Sequence, residues 1–367
     1  MSTLKPSKKI FINDRPISLT DPVYFIAEIG SNYDQSLQRA KDLIYLAKEA
    51  GADAAKFQHY TADTLVSDFG FKNFSQAKSH QANWEKSVFE TYEDASLNRD
   101  WTFELAETCK DVGIDFFTSP YSIDLVDFVD EYVPAYKIGS GDITWIEIIE
   151  HIASKNKPII IATGASDILD VERAVNSILK INSDIVLLQC NTNYTKNSEN
   201  FDSLNLHTLT IFREKFHNIL TGLSEHMQGH ISVLGSVALG ARVIEKHFTD
   251  STNRKGPDHP FSMTKDDFLE MVNACRILEK SLGDGIKRVE NNEKETIIVQ
   301  RRSICAKENL PLGHILAKED FQMLRPCTDE NIQPYEYEIL IGKVLNKNMA
   351  KGEPFKLSFT NENMKND

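Results

Sequence analysis

Short, continuously apolar runs recur along most of this chain, each followed by a longer amphipathic stretch. The runs are Val23 to Gly30, Ala52 to Gln58, Ile114 to Ser119, Ala135 to Ser140, Pro158 to Thr163, Asp184 to Cys190, Ile219 to Leu223 and Ala241 to His247. They lack the alternation of a half-exposed strand, so they predict strands covered on both faces. Between the first two, Leu37, Ala40, Leu43, Ile44 and Ala47 fall at helical spacing, and Gly51 stands where a C-terminal cap belongs. Further helices are predicted at Thr102 to Gly113, Ile123 to Glu131, Ile143 to Ser154, Leu169 to Lys180, Leu204 to Lys215 and Gly229 to Gly240. A last helix, Lys265 to Leu282, is capped by Thr264 and stopped by Gly283.

A strand–helix unit repeated in this way predicts the α/β class and a (β/α)8 TIM barrel. An open doubly wound sheet would place a Gly-x-Gly-x-x-Gly turn after the first strand, and Glu28-Ile29-Gly30-Ser31-Asn32-Tyr33 does not match it. Ile10 to Pro22 reads as a small cover with a turn at Asn13-Asp14. Asp63 to Glu93 is polar and aromatic without a clean period and reads as an excursion on the barrel rim.

The pattern changes after the barrel. Residues 1–284 form the predicted barrel, 285–295 a charged linker, and 296–367 a small β-rich domain. Arg301 to Lys307, Phe321 to Leu324 and Gly342 to Asn346 read as short strands. Asn309 to Leu316 resembles Asn348 to Phe355, a weak internal repeat. So short a domain is near the lower limit for independent stability, and docking onto another subunit is the expected remedy.

Composition narrows the partners. Of 367 residues, 41% are hydrophobic and 26% charged, the balance of an ordinary globular protein. No apolar run approaches the roughly 20 residues that span a bilayer. Met1 to Lys9 is polar and basic with no apolar segment behind it, unlike a secretion signal, so the expectation is a cytoplasmic chain. The five cysteines have neither metal-finger nor redox spacing and read as reduced thiols. A net charge of -13 argues against nucleic acid and anionic membrane as partners. It leaves room for an anionic small substrate, because a few lysines in a low-dielectric pocket reverse the local potential.

A barrel of this kind carries its chemistry where the strands end. Those ends offer Glu28, Lys56, Ser119, Lys137, Ser140, Asp142, Ser224, His226 and His247. A lysine in an apolar strand is either ion-paired within the barrel or an anion ligand. Two of them beside several hydroxyls fit a phosphate. A lone strand histidine is usually a hydrogen-bonded core residue. Two at the ends of adjacent strands, facing Glu28, point to a divalent metal with open positions for substrate oxygen. Lys255-Gly256-Pro257-Asp258-His259 is either a plain turn or a loop that offers Asp258 to sugar hydroxyls.

These residues resemble a known family. Ala27 to Gly30, Ala55 to Gln58, Tyr136 to Gly141, Gly222-Leu223-Ser224-Glu225-His226, Ile244 to Thr249 and Gly256 to Asp258 are similar to the motifs of the sialic acid synthases, which include N-acetylneuraminate, legionaminate and pseudaminate synthases. Arg301 to Ser303, Arg325-Pro326 and Gly342 to Val344 resemble that family's antifreeze-like SAF domain. The resemblance covers nearly the whole chain. It implies a transferase that condenses phosphoenolpyruvate (PEP) with an N-acylated hexosamine and water. The product is a nine-carbon 2-keto-3-deoxy acid, and phosphate is released. It implies that Lys56, Ser119, Lys137, Ser140 and Ser224 hold PEP, and that His226 and His247 hold Mn2+, with Mg2+ or Co2+ as alternatives. Glu28 would position water or a proton, and Asp142, Tyr194 and Asp258 would hold the sugar. Arg325 would reach the sugar from the other subunit of a domain-swapped homodimer.

Several positions depart from the family pattern. Asn32-Tyr33-Asp34 replaces Asn-His-x-Gly, Asp142 replaces a glutamate, and Ala162 replaces a serine. Asn191 to Thr195 alters a Cys-Thr-x-x-Tyr-Pro run. Two rival readings stand beside this one: a PEP–aldose condensing enzyme with another acceptor, and a decayed barrel that acts as a binding protein.

Overall fold

A computed structural model describes residues 8–73, 81, 84–194 and 198–362. The first basic residues, part of the rim excursion and Thr195 lie outside the described residues. The chain divides into two compact units, Met1–Gly283 and Asp284–Asp367.

The first unit opens with a hairpin of β1 (Ile10–Ile12) and β2 (Arg15–Ile17). Eight strands follow: β3 (Tyr24–Glu28), β4 (Ala54–His59), β5 (Asp115–Pro120), β6 (Tyr136–Ile138), β7 (Ile159–Ala162), β8 (Ile185–Cys190), β9 (Leu220–Glu225) and β10 (Val243–His247). They pair in parallel in the order β5-β4-β3-β10-β9-β8-β7-β6. The two end strands, β5 and β6, lie side by side, so the sheet curls into a near-closed barrel. Strands buried on both faces are what continuous apolar runs predict.

Each strand has two different neighbours. On β3, Phe25 and Ala27 pack outward against the helices, while Tyr24 and Ile26 join the cluster inside the barrel. On β10, Ile244 points outward and Val243 inward. This period of two continues to the strand ends and decides which polar residues face the interior. Gly222 on β9 has no room for a side chain, since a Cβ there would lie 2.2 Å from the Val243 carbonyl oxygen.

The hairpin stoppers the barrel where the strands begin. Ile10, Ile12 and Ile17 join the inner cluster. Asn13 donates to Asp115 and Arg15 to Asp53, both at strand starts. The opposite end stays accessible.

The helices follow the amphipathic pattern. Leu37–Glu49 buries Ala40, Leu43, Ile44 and Ala47, with Ser36 accepting from the Arg39 N–H as its cap. Burying a leucine or isoleucine of this kind contributes roughly 1.5–3 kcal/mol. Lys265–Leu282 begins with a capping box between Thr264 and Asp267. The rim excursion is more ordered than its sequence pattern indicates. It contains helices Ala62–Leu65, Asp68–Asn73 and Val88–Ala95, the last capped by Ser87 and Glu90. Such short pieces complete too few turns to show a period.

In the second unit, Lys294–Gln300 is helical, β11 (Ser303–Ala306) pairs with β12 (Phe321–Leu324), and β13 (Val344–Leu345) pairs with β14 (Thr360–Asn361). β14 has no counterpart among the strands expected from sequence. The internal repeat acquires a physical meaning here, because its two copies pair with each other. Leu310 and Met349 exchange both backbone hydrogen bonds at 2.9 Å. The Asn348 side chain accepts from the Leu312 N–H at 2.7 Å, and the Asn309 side chain accepts from the Lys351 N–H at 2.8 Å. Leu310, Leu316, Met349 and Phe355 are buried in one small core.

Candidate active site

A cavity of about 390 Å3 opens where the barrel strands end. Glu28, Lys56, Ser119, Lys137, Ser140, Asp142, Tyr194, Ser224, His226, His247 and Asp258 all line it. Arg325 does not. It lies exposed beyond β12 in the second unit.

The deep part is a charge network. Lys56 Nζ lies 2.5 Å from Glu28 Oε2, 4.0 Å from Glu245 Oε2 and 3.4 Å from Ser119 Oγ. Lys137 Nζ lies 3.3 Å from Glu245 Oε1, which also accepts from Ser224 Oγ at 3.2 Å. Glu28 Oε1 accepts from Gln58 Nε2 at 2.6 Å. Both lysines are therefore ion-paired inside the barrel, as burial of an ammonium demands. Glu28 and Glu245 differ sharply in proton affinity. Burial pushes Glu28 up to about 7, with attraction by Lys56 opposing and repulsion by Glu245 adding. Burial acts on Glu245 in the same direction, but Lys137 and then Lys56 outweigh it and hold that carboxyl at about 2. One carboxylate is thus firmly ionised, and its neighbour titrates near neutrality.

Glu245 is the residue that sequence reasoning passed over, although the signal was available. His247 faces the interior, so the residue two before it on a strand faces the interior too. Lys246, between them, turns outward. Its Nζ donates to Glu225 Oε1 and to the Met227 carbonyl, each at 2.5 Å. Glu225 in turn accepts from the Met227 N–H at 2.7 Å and from Ser232 Oγ at 3.0 Å.

The histidines divide into two kinds. His59, also on a strand, engages Thr118 through Nδ1 at 2.7 Å and Thr102 through Nε2 at 2.8 Å, and so is a satisfied core residue. His226 and His247 stand with ring centroids 5.3 Å apart. His226 Nδ1 donates to the Asn191 carbonyl at 3.0 Å, which leaves the lone pair on Nε2. His247 Nδ1 is buried without a hydrogen-bond partner. Burial drives both rings down to about 3, helped by the mutual repulsion of the pair at His226 and by Lys56 at His247, so both are neutral. Two neutral imidazoles with an orphaned nitrogen fit a cation. Among the described residues, no group of three or more His, Cys, Asp and Glu side chains could hold one. The pair would therefore leave the remaining positions to water or substrate.

The other lining residues are held from outside the charge network. Ser140 Oγ accepts from the Gly164 N–H at 2.9 Å. Burial raises Asp142 to about 6 against the pull of Lys137. Asp258 Oδ2 already accepts from Ser31 N and Oγ at 3.0 and 2.9 Å. Tyr194 packs 4.1 Å from the His226 ring and 5.4 Å from Phe261.

The sequence departures fall into two groups. Tyr33 and Asp34 do not line the cavity: Tyr33 donates to the Ala95 carbonyl at 2.7 Å, and Asp34 binds Arg39 at 3.1 Å and His259 at 2.8 Å. Asp142 and Ala162 do line it. Tyr60, Trp84, Tyr92 and Tyr121 form an aromatic side of the cavity, with Leu65 beside them in the lining, and sequence reasoning singled out none of the five.

Comparison with known proteins places this chain in a family. The NeuB family model matches residues 43–287 and the SAF domain model residues 301–359. N,N'-diacetyllegionaminic acid synthase of Legionella pneumophila is 34% identical, over 93% of this chain and 95% of its own. Pseudaminic acid synthase of Campylobacter jejuni is 34% identical, over 91% of this chain and 95% of its own. The crystal structure of the N-acetylneuraminic acid synthetase of Leptospira borgpetersenii, solved with citrate, superposes with a TM-score of 0.69 at 28% identity, over 79% of this chain and 95% of that one. No helix among the described residues is long and apolar enough to cross a membrane. The chain belongs to the NeuB family of acid synthases and carries a C-terminal SAF domain.

Proposed function

We propose that this enzyme condenses PEP with the open-chain form of an N-acylated hexosamine and water, releasing phosphate and a nine-carbon 2-keto-3-deoxy sugar acid. One observation supports this reading above the others. Lys56 and Lys137, with Ser119, Ser140 and Ser224, meet two neutral imidazoles in a single cavity.

In this reading the two ammoniums and three hydroxyls bind PEP. They are fixed before substrate arrives, so they stabilise charge that shifts onto the departing phosphate without reorganising. Glu245 holds both ammoniums in register. The PEP methylene carbon bonds to the sugar aldehyde carbon. Water then adds at the phosphate-bearing carbon, and phosphate leaves with C–O cleavage. Glu28 sits near its midpoint at neutral pH, so it can accept a proton from water and return one. Asp142, Tyr194 and Asp258 orient the sugar, which supplies the proximity term. A divalent cation held by His226 and His247, Mn2+ before Mg2+ or Co2+, would supply Lewis-acid polarisation of the aldehyde. Arg325 of a second copy is carried as a further sugar contact in a domain-swapped dimer, on the strength of the resemblance.

The deciding experiment measures phosphate release from PEP with a panel of N-acyl hexosamines and divalent metals. Release that depends on the sugar supports the reading. No release with any combination overturns it.

A further inference from the structure

Asp258, the candidate sugar ligand, is held by the loop that follows β3. Its Oδ2 accepts twice from Ser31, and its carbonyl accepts from Ser262 Oγ at 2.7 Å. Ser262 in turn accepts from Asn32 Nδ2 at 2.9 Å. The two loops lie so close that a Cβ on Gly30 would come within 2.5 Å of Asp258 Oδ2. Ser31, Pro257 and Asp258 line the cavity, and Asp34 does not.

Asp34 grips the same segment one residue further on. Its Oδ1 meets Nε2 of the buried His259, the neighbour of Asp258, at 2.8 Å. His259 Nδ1 meets Thr249 Oγ1 at 2.8 Å, and its ring packs against Gly256, where a Cβ would lie 2.7 Å from Cδ2. Asp34 Oδ2 faces Arg39 Nε at 3.1 Å and Arg254 Nη1 at 3.4 Å, and both guanidiniums also hold Asp250. One carboxylate thus ties the segment that delivers Asp258, through His259 and Arg254, to the helix Leu37–Glu49, through Arg39. Its backbone is unusual as well. φ is +48° at Asp34 and +55° at Gln35, two consecutive left-handed residues without a glycine. Such a turn persists only where its surroundings over-determine it. Tyr33 and Gln35 anchor it further, donating to the Ala95 and Ser96 carbonyls at 2.7 and 2.9 Å.

We propose that Asp34 is a positioning residue for the acceptor sugar: clamped between His259 and the guanidiniums of Arg39 and Arg254, it fixes the neighbouring Asp258 at the cavity wall. The proposal rests on the condensing-enzyme reading above, with Asp258 as a sugar contact. A small displacement of an orienting group forfeits much of the proximity term. Lys56 and Lys137 are held by Glu28 and Glu245 instead, so the effect of Asp34 belongs to the sugar and not to PEP.

The test measures phosphate release, with the best acceptor of an N-acyl hexosamine panel, for the wild type, Asp34→Gly, Asp34→Asn, Asp258→Asn and the double variant Asp34→Gly/Asp258→Asn. Glycine adopts the left-handed backbone freely and removes the carboxylate, whereas asparagine suits that backbone and keeps one oxygen. Asp34→Gly should raise KM for the sugar about tenfold and Asp34→Asn by less, while KM for PEP changes by less than about twofold. In the Asp258→Asn background the change at Asp34 should add little, because residues that act through one contact are not additive. The proposal is overturned if KM for the sugar is unchanged in Asp34→Gly, if KM for PEP rises equally, or if the two effects simply add. Should Asp34→Gly fail to fold, Arg254→Gln, at the exposed edge of the cluster, enters the same cycle, and the same outcomes decide. A wild type that releases phosphate with no sugar of the panel would instead overturn the condensing-enzyme reading itself.

Discussion

Lys246 and Glu225 form a buried ion pair, 2.5 Å from Nζ to Oε1, on the outer face of the strands whose inner faces carry His247 and Ser224. The same ammonium holds the Met227 and Gly229 carbonyls, so it ties down the turn that follows His226. Lys246→Met would leave Glu225 buried without its cation. Breaking a pair of this kind costs about 3–5 kcal/mol. Urea unfolding should show that loss, and a loss below about 1 kcal/mol would mean that the pair is not a structural strut.

The histidine pair predicts metal binding apart from turnover. After dialysis against Mn2+ and removal of excess metal, the wild type should retain about one ion per chain. His226→Ala and His247→Ala should each lose it, whereas His59→Asn, which alters a satisfied core ring, should keep it. Equal retention by all three variants would exclude the pair as ligands.

Lys137 faces Glu245 in the cavity that Ser119, Ser140 and Ser224 also line, so its loss should be selective. Lys137→Ala is expected to raise KM for PEP about 10- to 100-fold, the worth of one charge-assisted hydrogen bond. KM for the sugar should move little. Comparable losses for both substrates would contradict its assignment to the PEP end.

Glu28 predicts a pH dependence of stability whose sign is fixed. Its carboxyl is raised from the ordinary 4.5 to about 7 in the folded chain. Across that window the folded chain keeps a proton that the unfolded chain has released. This group therefore costs nothing below 4.5, and its penalty grows as pH rises towards about 7. Glu28→Gln removes the titration, so the variant should lose less stability than the wild type between about pH 5 and pH 8. Identical pH slopes in chemical denaturation would show that Glu28 does not titrate in this window.

The small second unit predicts an effect of truncation. Deleting the residues after Glu295 should impair use of the sugar and weaken self-association, read by kinetics and by sedimentation. A fully active monomeric barrel would rule out the proposed contact from Arg325 of a second copy.

What could be read from the sequence follows from how each element is stabilised. The barrel strands announce themselves because both their faces are apolar, and a polar tip such as Lys56 or His247 is conspicuous at the end of such a run. Glu245 was concealed in Ile244-Glu245-Lys246-His247, where charge alternates but only strand geometry tells the inward members from the outward ones. Tyr92 and Leu65 sit on helices of eight and four residues, whose roles depend on tertiary contact and not on periodicity. Tyr33 and Asp34 looked like departures at the site until their bonds to Ala95, Arg39 and His259 placed them in the supporting loop.

The reciprocal clasp in the second unit has a consequence for how that unit can vary. Asn309 and Asn348 each fasten the other copy's turn, in addition to the bonds that each turn makes within itself. Damage to one asparagine loosens the segment opposite, and a change of length in one arm forces a matching change in its twin. The two arms must therefore drift together, like the halves of a hinge cut from one template.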